Sequence, residues 1–271
     1  MNKRSQEDEN QLLLDNMKGI KQKIIVMSGK GGVGKSTVAA NLAAALAESG
    51  KKTGLLDIDI HGPSIPSMLN LSEERLTADS ANPEKLSPVK YNDNLHVISI
   101  GFLIENDGDP VIWKGPLKYS AIKQFLSEVH WGHLDYLIID SPPGTGDEPL
   151  TVCQLLPKPA GAVIVTTPQD VALLDVKKSI NFCKKIEMPV YGIVENMSGL
   201  ICPSCRVKIN LFKTGGGKKL ADEMNVPFLG EIPIEPEIVS SGDSGRPFCL
   251  QGTSNAANNS IKNIVTSILK I

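Results

Sequence analysis

The chain has 271 residues, a formal net charge of −2, 41 % hydrophobic residues and 4 % aromatic residues. That length buries a substantial core without metal or disulfide staples, the balanced charge excludes a broad basic footprint for nucleic acid, and few aromatic rings are available as base-stacking platforms. The polar first ten residues lack the apolar core of a signal peptide, no run of about eighteen apolar residues offers a membrane span, and five cysteines, an odd number, argue against a disulfide framework and for a reducing cytoplasm.

Residues 1–20 read as a flexible N-terminal tail. Residues 23–28 (KIIVMS) form a short apolar run ending in glycines, the pattern of a buried parallel strand. An alanine-rich helix is predicted over 35–48, with Gly50 as its stop. Strands follow at 53–57 and 95–100, and the polar stretch 71–93 between them reads as a surface excursion. Next come a helix at 116–130, strands at 136–140 and 162–167, and a helix at 171–186. A strand at 190–195, a short helix at 217–224, a strand at 228–232 and an amphipathic helix at 256–269 close the pattern. Strands alternating with helices predict an α/β fold: a single doubly wound domain over 21–271, its mostly parallel sheet covered by helices on both faces.

Gly29-Lys30-Gly31-Gly32-Val33-Gly34-Lys35-Ser36, followed by Thr37, fits G-x-x-x-x-G-K-[ST] between a predicted strand and a predicted helix. Glycines let successive backbone N–H groups curl around phosphate oxygens, and the helix N-terminus adds partial positive charge. Lys35 has the reach for β- and γ-phosphates, and the Ser36 hydroxyl suits Mg²⁺. The pattern makes residues 29–37 a binding loop for MgATP. Asp57 and Asp59 follow the second strand, and Asp140 ends the apolar run YLIID, so all three carboxylates fall where strand ends face the ligand crevice. Asp140 is a Walker B acid next to the magnesium, and Ser141-Pro-Pro-Gly-Thr-Gly-Asp147 is a loop suited to switching.

Lys30 gives the loop a second lysine, and GKGGVGKST resembles the deviant Walker A loop of the MinD, ParA and nitrogenase-iron-protein class. The resemblance implies that Lys30 reaches a partner subunit's nucleotide and that Lys30, Lys35 and Asp59 are catalytic. In that class, Asp59 positions the hydrolytic water and Asp57 supports the magnesium shell. It also implies that Asn196 recognises the adenine edge, and that the segment containing Pro233 packs over the base.

Cys202-Pro-Ser-Cys205 puts two thiols in one turn, half of a usual four-ligand site, and no histidine lies near in sequence. A second copy across a two-fold axis completes the set most simply. A shared iron–sulfur cluster, zinc on the same thiolates, an intrachain redox disulfide and an inert turn all suit such a pair. Cys153 and Cys183 fall at apolar helical positions and read as core; Cys249 fits either role.

Taken in order, GKGGVGKST, DIDIHGPSIP, IIDSPPGTGDEPLT and ENMSGLICPSC resemble the Mrp family of dimeric P-loop ATPases. The resemblance runs from about Lys23 to the C-terminus. It implies a homodimer that binds a labile [4Fe–4S] cluster between two C-x-x-C pairs, receives it from scaffold proteins and delivers it to apo-proteins, with ATP needed for loading or transfer. The sequence lacks the extra N-terminal domain of many bacterial members and the N-terminal cysteine cluster of some eukaryotic ones. His61 stands where relatives often have tyrosine, and no role is assigned to it. No nucleic acid or membrane partner is expected. The competing reading is a positioning or partitioning ATPase that binds DNA or membrane, for which the amphipathic segment 261–271 is the candidate contact.

Overall fold

The computed structural model describes residues 6–60, 62–103, 115–158, 160–202, 204–205, 207–251 and 255–271; His61 lies outside them. In chain order the strands are β1 (Ile20–Ser28), β2 (Thr53–Asp57), β3 (Thr77–Ala78), β4 (Leu86–Ser87), β5 (Val89–Asn92), β6 (Leu95–Ser99), β7 (Leu134–Asp140), β8 (Ala160–Thr166), β9 (Val190–Ile201), β10 (Lys208–Ile209) and β11 (Phe228–Ile234). The helices are α1 (Gln6–Met17), α2 (Lys35–Glu48), α3 (Ile65–Met68), α4 (Gly115–Ser127), α5 (Asp147–Leu155), α6 (Asp170–Lys185), α7 (Gly216–Met224), α8 (Pro236–Asp243) and α9 (Ala256–Ile268).

The nine-stranded main sheet has the order β10-β9-β8-β1-β7-β2-β6-β5, with β11 also paired to β9. Its described pairings are parallel except those of β5 and β10 at the ends. Alternation along β1 separates two layers: Ile24 and Val26 enter one core cluster, Ile25 and Met27 the other. All four are fully buried, so this central strand is apolar on both faces. One layer is filled by Val38, Leu42 and Leu46 of α2 and by Ile261, Ile264 and Ile268 of α9. The other takes Ile122, Phe125 and Leu126 of α4, with Leu13 and Met17 of α1. Further along the sheet, Val176 and Ile180 of α6 and Leu220 of α7 pack on Ile164 and Ile193.

Three features differ from the sequence reading. Gln6–Met17 is a helix rather than a loose tail: Leu13 and Met17 are buried, Glu9 meets the buried Lys123 at 2.8 Å, and the Asn16 amide donates to the carbonyls of Leu126 and Val129. Its own sequence is mostly polar, and contacts with α4 hold it in place. The polar stretch after Leu71 contributes the β3–β4 pair and the edge strand β5. Finally, β9 does not stop before Asn196 but runs on to Ile201, which joins the nucleotide end of the sheet to the cysteine pair.

Candidate functional site

The sheet order places the ends of β1, β7 and β2 side by side. Asp140 pairs in register with Val26 on one side and with Asp57 on the other. The loop after β1 leads directly into α2, whose N-cap is Gly34. Gly34 has a left-handed backbone, φ +80°, and a Cβ there would run into the Asn196 side-chain amide. Glycine is therefore required at this position on two counts. Gly29 is also confined, because the backbone of Asp175 on α6 occupies the space a side chain would need. Lys30 is half-buried, and with Gly31, Gly32, Lys35, Ser36 and Thr37 it lines a cavity of about 200 Å³. Val33 is buried, and its carbonyl accepts from the Asn196 amide at 2.9 Å.

Lys35 is buried and its ammonium lies 2.7 Å from Asp140 Oδ1 and 3.4 Å from Asp59 Oδ2. Burial raises the Asp140 carboxyl above the usual range, while the neighbouring Lys35 charge opposes that rise. The Ser36 hydroxyl, 3.3 Å from the Lys35 ammonium, also opposes the rise. Asp140 Oδ2 is buried without a hydrogen-bond partner. A hydroxyl and an orphaned carboxylate oxygen beside a phosphate-binding loop fit a hard cation such as Mg²⁺. Asp57 stands one step behind: its Oδ1 accepts from the Asp59 backbone N–H at 3.0 Å and its Oδ2 from the Ser99 hydroxyl at 2.8 Å. Burial first, and then the Asp140 charge, push its carboxyl up to about 8. The loop after β7 is tied to β1, with the Ser141 hydroxyl donating to Val26 O at 2.9 Å and Gly144 N to Ser28 O at 2.7 Å.

A second cavity of about 570 Å³ adjoins the first at Gly34 and Thr37. Asn196 and Pro233, which the resemblance assigns to the base, line it, and so do Met68, Met197 and Phe212, which the sequence reading did not single out. Phe212 arrives there from the segment after β10, a long-range placement with no local signal.

Beyond Asn196, β9 carries the chain to Cys202, whose N–H donates to Val207 O at 3.0 Å as the hairpin turns back into β10. Cys202 is half-buried and Cys205 exposed. The Cys202 thiol is held below its ordinary range by the Cys205 backbone N–H, then by the Cys205 thiol and the Ser204 N–H. Among the described residues, no three His, Cys, Asp or Glu side chains form a metal-binding group. Val207, Ile209 and Leu211, next to the pair, are exposed. The remaining cysteines differ sharply: burial pushes the thiols of Cys153 and Cys249 up to about 12 and that of Cys183 up to about 11, as suits inert core residues.

A phosphate loop between β1 and α2, flanked by acid-tipped neighbouring strands, defines the P-loop NTPase class. Within that class, the family model described as ParA, NUBPL iron-transfer P-loop NTPase, matches residues 19–269, and the chain belongs to this family. A protein of Saccharolobus solfataricus named iron-sulfur cluster carrier protein is 50 % identical over 255 residues, 94 % of this chain and 85 % of the relative. The cytosolic Fe-S cluster assembly factor CFD1 of Saccharomyces cerevisiae is 52 % identical over 82 % of this chain and 76 % of its own. Among solved structures, the nucleotide-binding protein of Archaeoglobus fulgidus in complex with ADP is 40 % identical with a TM-score of 0.77, covering 92 % of this chain and 98 % of that one.

Proposed function

We propose that the chain is an ATP-dependent iron–sulfur cluster carrier that hydrolyses ATP slowly and holds a [4Fe–4S] cluster between two copies of itself. The observation that carries this reading is that a single strand, β9, bears the Asn196 contact to the phosphate loop and ends at Ile201, one residue before the first thiol of the pair. The names of the relatives supply the cargo, an iron–sulfur cluster.

In this reading, backbone N–H groups of residues 29–37 hold the phosphates, and Lys35 shifts from Asp140 toward them as their counter-ion. Ser36 and Asp140 hold Mg²⁺, with Asp57 supporting them from behind; the cation neutralises phosphate charge as it builds up. Asp59, close to Lys35, orients the attacking water. Asn196 and Pro233 enclose the adenine, and Lys30 reaches the nucleotide of the partner subunit. Cys202 and Cys205 meet their symmetry mates to make four thiolates, and the exposed Val207, Ile209 and Leu211 around them supply apolar area for that contact. The cluster is a cargo taken from scaffold proteins and passed to apo-proteins in the cytoplasm. Zinc suits the same four thiolates, so metal analysis belongs in the test. Of the segment that the competing membrane or DNA reading would use, Ile261, Ile264, Val265 and Ile268 are packed in the core, and only Leu269 and Ile271 stand exposed among its apolar residues.

Anaerobic reconstitution with iron and sulfide tests the proposal. The wild-type protein is expected to yield four irons per dimer, and the Cys202→Ala/Cys205→Ala protein only background iron while binding MgATP within about twofold of wild type. Undiminished iron and sulfide in the double variant would refute it.

A further inference from the structure

The cysteine hairpin leaves the sheet and returns to it at one buried carboxylate. Glu195 is fully buried, one residue before Asn196. On the outgoing side, the buried Ser198 hydroxyl lies 2.6 Å from Glu195 Oε1 and 2.9 Å from Glu231 Oε2, donating to one of them at a time. On the returning side, Gly215 N donates to Glu195 Oε1 at 2.9 Å and Gly217 N to Oε2 at 2.5 Å. These amides open α7, so the carboxylate also faces the positive end of a helix. A side chain at Gly217 would press on Glu195, at about 3.1 Å, which keeps α7 close.

Just beyond Glu195 the strand is irregular. Asn196 pairs with Ile232 and Leu200 with Ile234, so three residues of β9 face one of β11. Two of the three have left-handed backbones: Met197 at φ +56° and Gly199 at φ +80°. For methionine that conformation is uncommon and is sustained by its surroundings. Met197 lines the larger cavity, and so does Phe212 from the returning side. A ligand there touches both sides of the hairpin, whose feet are fastened at a single point.

We propose that Glu195 is the positioning residue of the cysteine hairpin: by pinning both feet beside Asn196, it makes occupancy of the base cavity set where Cys202 and Cys205 stand. Met197 and Phe212 are the contacts through which a bound base acts, and the bulge of β9 is the part that gives. The inference rests on the cavity binding a nucleotide and is independent of what the thiols carry.

Alkylation of metal-free protein by iodoacetamide, followed peptide by peptide with and without MgADP, tests this; Cys153, Cys183 and Cys249 are buried and serve as controls. MgADP is expected to change the wild-type rate at Cys202 and Cys205 by about fivefold or more, the low end of coupling between two sites. In Glu195→Gln and Ser198→Ala that dependence should fall below about twofold, with MgADP affinity within about threefold of wild type. Ser198→Thr, which keeps the hydroxyl, should restore it. Should Glu195→Gln fail to fold, the two Ser198 variants decide. Equal rates in wild type with and without MgADP overturn the proposal. So does a dependence that survives in Ser198→Ala, as shielding by dimer formation would produce. Wild-type protein that binds no MgADP overturns the nucleotide reading itself, and this inference with it.

Discussion

At the ends of β1, β2 and β7, the acids and the lysine that would meet a phosphate are buried and held by neighbours from the same chain. At the turn after β9, two thiols stand at the sheet edge among exposed Val207, Ile209 and Leu211. In the proposed function both regions bind by chemistry that needs several ligands at once. The parallel sheet gathers those ligands from distant points of one chain, because neighbouring strand ends converge. An edge hairpin gathers only what lies within its own turn, so a site built there is half a site. A single polypeptide therefore gathers Lys35, Asp57, Asp59 and Asp140 by itself, while the cluster site proposed for the thiols would take a second copy, as would the proposed reach of Lys30.

The contrast can be broken most directly at Lys35. Lys35→Ala should weaken ATP binding about ten- to a hundredfold, the loss of a charged hydrogen bond beside the carboxylates of Asp59 and Asp140, left without their counter-ion. Calorimetric titration showing wild-type affinity would remove the basis for calling this region the nucleotide site. Gly34→Ala tests how tightly the region is built. The left-handed backbone alone costs a side chain about 1–2 kcal/mol, and the Asn196 amide must also move. Thermal unfolding should fall by about 2–8 °C, whereas an unchanged midpoint would mean the loop has slack.

The acids give a pH signature. Folded Asp57 keeps its proton up to about pH 8, against 3.8 for a free carboxyl, so the folded chain binds more protons than the unfolded one between these values. Its contribution to stability is full at low pH and is lost as pH rises through about 8. Protein without added nucleotide or metal should melt at lower temperature at pH 8 than at pH 5, and Asp57→Asn should flatten that slope; an equal slope would count against a buried, protonated Asp57. The smallest folding effect belongs to the other region. Ile209→Ser should change unfolding free energy by no more than about 0.5 kcal/mol, as expected for an exposed residue, while shifting sedimentation toward the single chain. An undisturbed dimer would move the interface elsewhere.

The sequence made the phosphate loop plain because its chemistry is local: nine consecutive residues, 29–37, carry it. The acid-tipped strands were legible too, since an apolar run ending in aspartate has few other uses. What was not legible depends on contacts far apart in the chain. Lys35 and Asp140 meet across 105 positions, and Asn16 reaches Leu126 across 110. Helix α1 was taken for a tail because its first half is wholly polar and its apolar residues, Leu12, Leu13, Leu14 and Met17, make one short cluster rather than a periodic stripe. Glu195 was read only as the last residue of a strand. A charged residue inside the apolar run YGIVEN was the available signal, since a buried carboxylate must have partners nearby.

Lys35 already has counter-ions in Asp140 and Asp59, and this has a thermodynamic consequence. A triphosphate entering alone would draw the ammonium away and leave those carboxylates facing new negative charge across a short, poorly screened gap. Divalent cation entering alone would have to share the carboxylates with an ammonium that has nowhere else to go. Each visitor would remove the obstacle to the other, so uptake of nucleotide and of magnesium would be mutually reinforcing, and free nucleotide without the cation would compete only weakly for the loop.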